Sequence, residues 1–145
     1  MKKTLLIVLA VSGLAACKPR QDAGNVKNET MKLHDEVMAD HGKIVANQMR
    51  IDTLLKEMKT LKQLFPAIDT LQEKTTLTIT LNNLFKAEES MNNWMHNFNP
   101  DFESKSEDSV ITYYKTEKQK IRAIDSLYKK EIKKSDLYLL KFKKP

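Results

Sequence analysis

Two segments of the sequence place side chains that can bind a metal ion at helical spacing. In each segment the residues lie three and four positions apart, so a helix would project them from one face. Imidazole, thioether and carboxylate groups together suit copper or zinc, and methionine favours Cu(I). The candidate metal ligands are His34, Met38, His41, Glu88, Met91 and Met95.

Core packing is the alternative interpretation of the same residues. Methionines at helical spacing usually fill a hydrophobic core, and Trp94 beside them is a natural core anchor. The sequence contains no HExxH, HxH or CxxC motif. Packing explains Glu88 least, because a buried carboxylate needs a partner. Lys115 or Lys118 could supply one without any metal.

Three long helices are expected to position these side chains. Apolar residues recur at spacings of three, four and seven over residues 30–64, 70–98 and 109–141, as one buried helix face requires. Thr30 is the expected cap of the first helix, and Ser109 or Asp108 that of the third. Pro66 and Pro100 end the first two. Residues 75–81 alternate like a strand, but their leucines continue the helical repeat, so they are assigned to the second helix.

The predicted fold class is all-α, an antiparallel three-helix bundle. A coiled-coil hairpin that forms a homodimer is the structural alternative, because each apolar stripe resembles a heptad repeat. Reflection through the first turn places His41 beside Trp94, and reflection through the second places Tyr113 and Tyr114 beside Met95. The candidate ligands would then gather at the end where the chain enters the bundle.

The N-terminus has the pattern of an export signal. Lys2 and Lys3 precede a short apolar run, and small residues then lead to Leu14-Ala15-Ala16-Cys17. The run is too short for a transmembrane helix, which needs roughly 20 apolar residues. The segment resembles the signals cut by the lipoprotein signal peptidase, which implies that residues 1–16 are removed and that Cys17 carries the lipid.

The same resemblance bears on location and domain limits. Proteobacterial lipoproteins retained in the inner membrane carry an aspartate after the cysteine, whereas this chain has Lys18. We therefore expect an outer-membrane lipoprotein, on the periplasmic face. Residues 17–29 are expected to be the lipidated cysteine and a flexible tether, and residues 30–145 the helical domain. Cys17 is the single cysteine, so no internal disulfide can form.

Composition and charge narrow the class of partner. The chain has 30% charged residues, three glycines and a formal net charge of +6, which is typical of long solvated helices. Removal of the signal would lower that surplus, so nucleic acid is not an expected partner. Acidic residues concentrate at the entry end of the predicted bundle, and lysines at the far end. An anionic cell-wall component, a membrane surface or an envelope protein could meet that basic end.

Two segments resemble a group of small Bacteroidota lipoproteins. They are Met31–Met38, with sequence MKLHDEVM, and Ala87–Phe98, with sequence AEESMNNWMHNF. Members of that group often carry the label "viral A-type inclusion protein", which reflects coiled-coil composition and implies no viral role. The resemblance implies a helical fold and an envelope location, and no activity.

The predicted function is that of a membrane-anchored, non-enzymatic helical module that binds or supports an envelope component. The alternative is a periplasmic copper- or zinc-binding lipoprotein that uses the six candidate ligands. An enzyme is the least favoured interpretation, because no catalytic motif is visible. A narrow bundle is also expected to leave little room for a pocket of about 300 Å³ or more.

Overall fold

The computed structural model describes residues 22–103 and 105–143, and these form helices joined by short connections. The elements are α1 (Ala23–Lys56), α2 (Met58–Leu64), α3 (Thr70–Asn97), α4 (Glu107–Leu139) and a final 3₁₀ turn (Leu140–Phe142). No strand occurs in these two ranges. The predicted all-α bundle is confirmed, with α3 antiparallel to both α1 and α4.

The first helix begins seven residues earlier than the prediction of Thr30. Asp22 caps α1, because its side chain accepts a hydrogen bond of 2.7 Å from the backbone N–H of Asn25. Val26, one turn into the helix, is buried in the bundle. The assignment of residues 23–29 to a flexible tether is therefore wrong. Residues 1–21, with the predicted signal and Cys17, lie outside the described residues.

Thr30 is an interior helical residue rather than a cap. It is fully buried, and its hydroxyl donates to the carbonyl of Val26 at 2.8 Å and to that of Tyr114 at 3.2 Å. A threonine hydroxyl satisfied in this way can be buried at little cost. Thr30 therefore links the first turns of α1 to the start of α4.

The predicted first helix is interrupted at Glu57, whose backbone angles of −104° and 28° leave the α region. Backbone hydrogen bonds continue past it, from Glu57 N–H to Thr53 and from Leu61 N–H to Glu57. No proline or glycine marks this position in the sequence. The interruption therefore redirects the chain into α2 without unpairing its backbone.

The other helix limits fall close to those expected. The Asp69 side chain caps α3 by accepting from the N–H groups of Leu71 and Gln72, and Ser106 caps α4. The cap of α4 lies ahead of the expected Ser109 or Asp108. The alternating segment at residues 75–81 is helical, and three of its four threonines donate to carbonyls four residues back, as Thr76 does to Gln72 at 2.9 Å.

One hydrophobic core runs along the axis of the bundle. Its fully buried members come from all three long helices and include Val37, Ile44, Ile51, Leu77, Leu84, Met91, Ile121 and Tyr128. A polar contact crosses the core between α1 and α4, where Asn47 donates to Ser135 and Asp136, each at 2.8 Å. Among the described residues, none of the helices combines the length and the apolar character needed to cross a membrane.

Candidate functional site

The contacts between α1 and α3 depart from the reflection rule by different amounts, and this redistributes the candidate ligands. Gln48 meets Glu88 almost where the rule places it, whereas Trp94 lies beside a histidine seven residues earlier than the rule predicts. His34, not His41, lies beside Trp94, with ring centroids 5.8 Å apart. The His34 ring nitrogen Nδ1 lies 2.9 Å from the carboxylate of the neighbouring Asp35. His34 thus packs on an aromatic core residue.

His41 and Glu88 are the pair that the fold brings together. Nε2 of His41 and Oε1 of Glu88 are 3.9 Å apart, and both side chains are partly buried. The other carboxylate oxygen of Glu88 accepts a hydrogen bond of 2.8 Å from the amide of Gln48. Glu88 therefore finds its partners on α1, and the expected contact with Lys115 or Lys118 of α4 is wrong for Lys118, which binds Glu29.

Tyr128 closes this cluster from α4. Its hydroxyl lies 3.4 Å from Nδ1 of His41. Burial, reinforced by the negative charge of Glu88, raises the pKa of Tyr128 to about 12. Tyr128 therefore stays protonated near neutral pH and can donate to Nδ1, which leaves the Nε2–H of a neutral His41 on the side of Glu88. A metal ion on His41 would have to displace one of these two contacts.

The methionines of the candidate site point in different directions. Met91 is completely buried in the core, whereas Met95 is 39% exposed, and Met38 packs partly buried at the core edge. Within the described ranges, no three His, Cys, Asp or Glu side chains are grouped so that they could hold a metal ion. Of the six candidates, the structure places only His41 and Glu88 within reach of each other as polar ligands.

Aromatic rings fill the entry end of the bundle instead. Trp94 packs on Phe98 at 4.7 Å, and the rings of Phe98, Phe102, Tyr113 and Tyr114 form a continuous cluster between α3, its connection and α4. Buried Trp94 donates its indole N–H to Glu117 at 2.7 Å. The other oxygen of Glu117 accepts from Lys120 at 2.7 Å. We call this group the aromatic end.

An open groove of about 480 Å³ lies beside the aromatic end, between α3 and α4. Its lining includes Asn93, Asn97, Trp94, Glu117 and Lys120. The groove is larger than a narrow bundle was expected to leave. Both carboxylate oxygens of Glu117 already accept hydrogen bonds, so the groove contains a satisfied ion pair and no activated acid or base pair.

The opposite end of the bundle exposes leucine and lysine side chains. Leu64 and Leu140 are about half exposed, at 49% and 50%. They lie next to the ring contact between Phe65 and Phe142, which joins α2 to the 3₁₀ turn at 6.0 Å. The Lys141 ammonium group lies 5.9 Å from the centre of the Phe142 ring, and three more lysines are close to these two phenylalanines in the sequence. We call the group Lys59, Lys62, Leu64, Leu140, Lys141 and Lys143 the distal tip.

Two of the distal lysines have structural contacts that charge counting did not foresee. Lys62 donates to the carbonyls of Pro66 and Ile68, at 2.8 and 2.7 Å, and so holds the turn before α3. Lys141 donates to Glu73 at 2.7 Å. Glu73 is buried, which raises its pKa, but the hydrogen bonds from Lys141 and Tyr138 outweigh burial and leave the pKa below its usual value.

The comparisons with known proteins add no assignment. No family model matches the chain, and neither a curated protein nor a solved structure is similar to it. The proposed function therefore rests on the contacts and exposures of the described residues. Sequence reasoning missed Gln48, Glu73 and Tyr128 as partners, because each lies on a helix face whose neighbour depends on register.

Proposed function

We propose that this protein is a lipid-anchored, non-enzymatic helical module of the bacterial cell envelope that binds an envelope component through its distal tip. In this proposal the lipid is attached to Cys17, and the domain stands on the periplasmic face of the outer membrane. The observation that carries the binding role is the distal tip itself, where half-exposed leucines lie among lysines.

The interior of the bundle supports a binding role rather than a catalytic one. Three buried glutamates lie against donors or cations: Glu117 against Trp94 and Lys120, Glu73 against Tyr138 and Lys141, and Glu131 at 3.5 Å from Lys130. Groups held in this way stabilise a fold, and they offer no acid or base at an accessible reacting position. The outer surface is therefore where this protein meets its partner.

The distal tip combines two features that favour association. Exposed leucines gain free energy when a partner removes them from water, and the surrounding lysines attract an anionic or acidic surface. The tip also lies far from the anchor, because the 34 residues of α1 span about 50 Å at 1.5 Å per residue. We infer that the partner is an anionic envelope component.

Site-specific photocrosslinking in intact cells tests this proposal. A photoreactive amino acid at position 59 or 140 should yield an adduct, whereas the same amino acid at Lys130, which is exposed on the side of α4, is the matched control. Recovery of monomer alone from positions 59 and 140 would contradict the binding role. Membrane fractionation of wild type and Cys17→Ser tests the anchor, and a wild-type chain found in the soluble fraction would contradict it.

A copper- or zinc-binding lipoprotein is the second candidate, and the contact between His41 and Glu88 favours it. These two side chains could contribute a nitrogen and an oxygen ligand if the ion displaced the Gln48 or Tyr128 contact. Titration of the chain with Zn²⁺ and with Cu(I) should then give binding that His41→Ala abolishes. His96→Ala is the matched control, since His96 is exposed. Equal binding by the two variants would remove this candidate.

A further inference from the structure

The outer face of α3 lacks charge in a protein that is otherwise densely charged. No Asp, Glu, Lys or Arg occurs between Lys74 and Lys86, although charged residues make up 30% of the chain. The exposed positions of this stretch instead include Ile79 and Phe85, at 55% and 49% exposure, and Leu71 lies one turn before it at 75%. An uncharged face with large apolar side chains is what a helix presents to another helix.

The exposed residues of this face follow a heptad pattern. Leu71, Thr78 and Phe85 are seven residues apart, and Thr75, Asn82 and Glu89 form a second series with the same spacing. All six are exposed, so together they form a narrow stripe along the outside of the helix, opposite the buried stripe of Leu77, Leu84 and Met91. We call the exposed stripe the α3 seam.

We propose that the α3 seam pairs with the α3 seam of a second copy of this chain, in parallel and in register. Among the six seam positions only Glu89 is charged, so the seams of two copies can meet from Leu71 to Phe85 without bringing like charges together. Parallel pairing joins Asn82 to Asn82 of the copy, and an asparagine in a helix seam is known to specify register and a two-stranded state.

The direction of pairing also fits the proposed anchor, on which this inference rests. Two copies in one membrane would both carry the lipid at the same end, so upright bundles bring their α3 helices together in parallel. A two-fold axis along the bundle relates such copies, and each residue of the seam then meets its own counterpart.

The size of the seam indicates a weak pair that the membrane strengthens. α3 has 28 residues, and a contact strip about 10 Å wide along it covers only a few hundred Å² per copy. A standard stable interface covers about 800 Å² per partner. Anchoring both copies to one surface raises their effective concentration without any new contact. We therefore expect pairing in the envelope and little pairing in dilute solution.

Disulfide crosslinking of the full chain in its own envelope tests the pairing. Cys17 is the single native cysteine, and a lipid on its sulfur would remove it from disulfide exchange. Asn82→Cys should form a disulfide-linked dimer on mild oxidation, because facing residues of a parallel pair approach within the Cα separation of about 4.4–6.8 Å that a disulfide requires. Thr116→Cys, at an exposed threonine of α4, is the matched control and should stay monomeric.

A second substitution separates pairing from chance collision. Phe85→Lys places two like charges in the seam, so it should abolish the dimer formed by Asn82→Cys while leaving the thermal midpoint close to that of Asn82→Cys alone, since Phe85 is on the surface. No dimer from Asn82→Cys, or equal dimer from Thr116→Cys, would overturn the proposal. So would a link formed only between Thr78→Cys and Asn82→Cys chains, which indicates antiparallel pairing.

The same samples distinguish failure of this inference from failure of the proposed function. Membrane fractionation shows whether the chain is anchored, and this result does not depend on disulfide formation. An anchored chain without the Asn82→Cys dimer overturns only the pairing. A disulfide from residue 82 to a different protein also overturns it, and assigns the seam to that protein.

Discussion

The aromatic end and the distal tip of the same bundle use their large side chains in opposite ways. At the aromatic end, Trp94 and Tyr114 are buried, and the Trp94 indole N–H binds Glu117. At the distal tip, Leu64 and Leu140 are half exposed. The aromatic end therefore buries large side chains that stabilise the fold, whereas the distal tip leaves two leucines exposed to solvent.

This difference indicates where stability and function are separable. Substitutions at the aromatic end should change the free energy of unfolding, whereas substitutions of exposed distal-tip residues such as Lys59 and Leu140 should change binding with little effect on folding. Measuring the stability of variants at each end therefore tests whether the two ends differ in this way. The expected changes run from several kcal/mol to about one.

The largest effect is expected at the aromatic end. Trp94→Ala should lower the free energy of unfolding by about 3–5 kcal/mol, because it removes a large buried side chain and leaves a cavity. It also deprives buried Glu117 of the indole donor. Denaturant unfolding followed by circular dichroism measures this change. Leu140→Ala, at the distal tip, is the matched control and should stay within about 0.5 kcal/mol of wild type. Similar losses from both variants would remove the contrast.

An intermediate effect is expected from Glu73, which is buried near the distal tip. Glu73→Gln should lower the free energy of unfolding at neutral pH by about 1.5 kcal/mol, the lower end for hydrogen bonds to a charged group. It weakens the contacts with Tyr138 and Lys141. This loss would show that the hydrogen bonds of Glu73 stabilise the fold next to the distal tip.

The pH dependence of that effect has a defined sign. The hydrogen bonds from Lys141 and Tyr138 lower the pKa of Glu73 in the folded protein below its ordinary value of 4.5. Its stabilising contribution is therefore present above about pH 4.5 and is lost as the pH falls through the lower folded value. Thermal midpoints of wild type and Glu73→Gln should therefore converge below pH 4.5. A gap that stays constant into acid would contradict the assignment.

The smallest effect is expected at the start of α1. Asp22→Ala should cost about 1 kcal/mol, the usual value for loss of a helix N-cap, because the N–H of Asn25 loses its acceptor. Hydrogen exchange of the amides at residues 26–29 should accelerate in this variant. Asp22→Asn retains a capping oxygen and should stay near wild type. Rapid exchange of these amides already in wild type would support the flexible tether that sequence reasoning predicted.

The fold class followed from hydrophobic periodicity, because long amphipathic helices with short connections have few ways to bury their stripes. The start of α1 did not, since Val26 is a lone apolar residue in a polar stretch and the Asp22 cap has no capping box after it. Periodicity detects a helix only where several apolar residues repeat. The first turns of α1 depend instead on the Asp22 cap, which an analysis of periodicity does not detect.

The candidate metal site depended on register, which periodicity does not determine. Trp94 lies beside His34 instead of His41, although Glu88 meets Gln48 almost where reflection places it and also reaches His41. Each helix presents similar residues one turn further along, so alternative registers bury nearly equal apolar area. Specific polar contacts, such as Gln48 with Glu88, distinguish them.

The position of Ala23 as the first residue of α1 sets the reach of the whole domain. Only five residues lie between Cys17 and Ala23, and an extended chain of that length spans at most about 20 Å. If Cys17 carries the lipid, as we propose, the distal tip can lie no further from the membrane than the length of the bundle plus the length of this linker. A partner of the distal tip would then have to lie within that distance of the membrane as well as match the tip chemically.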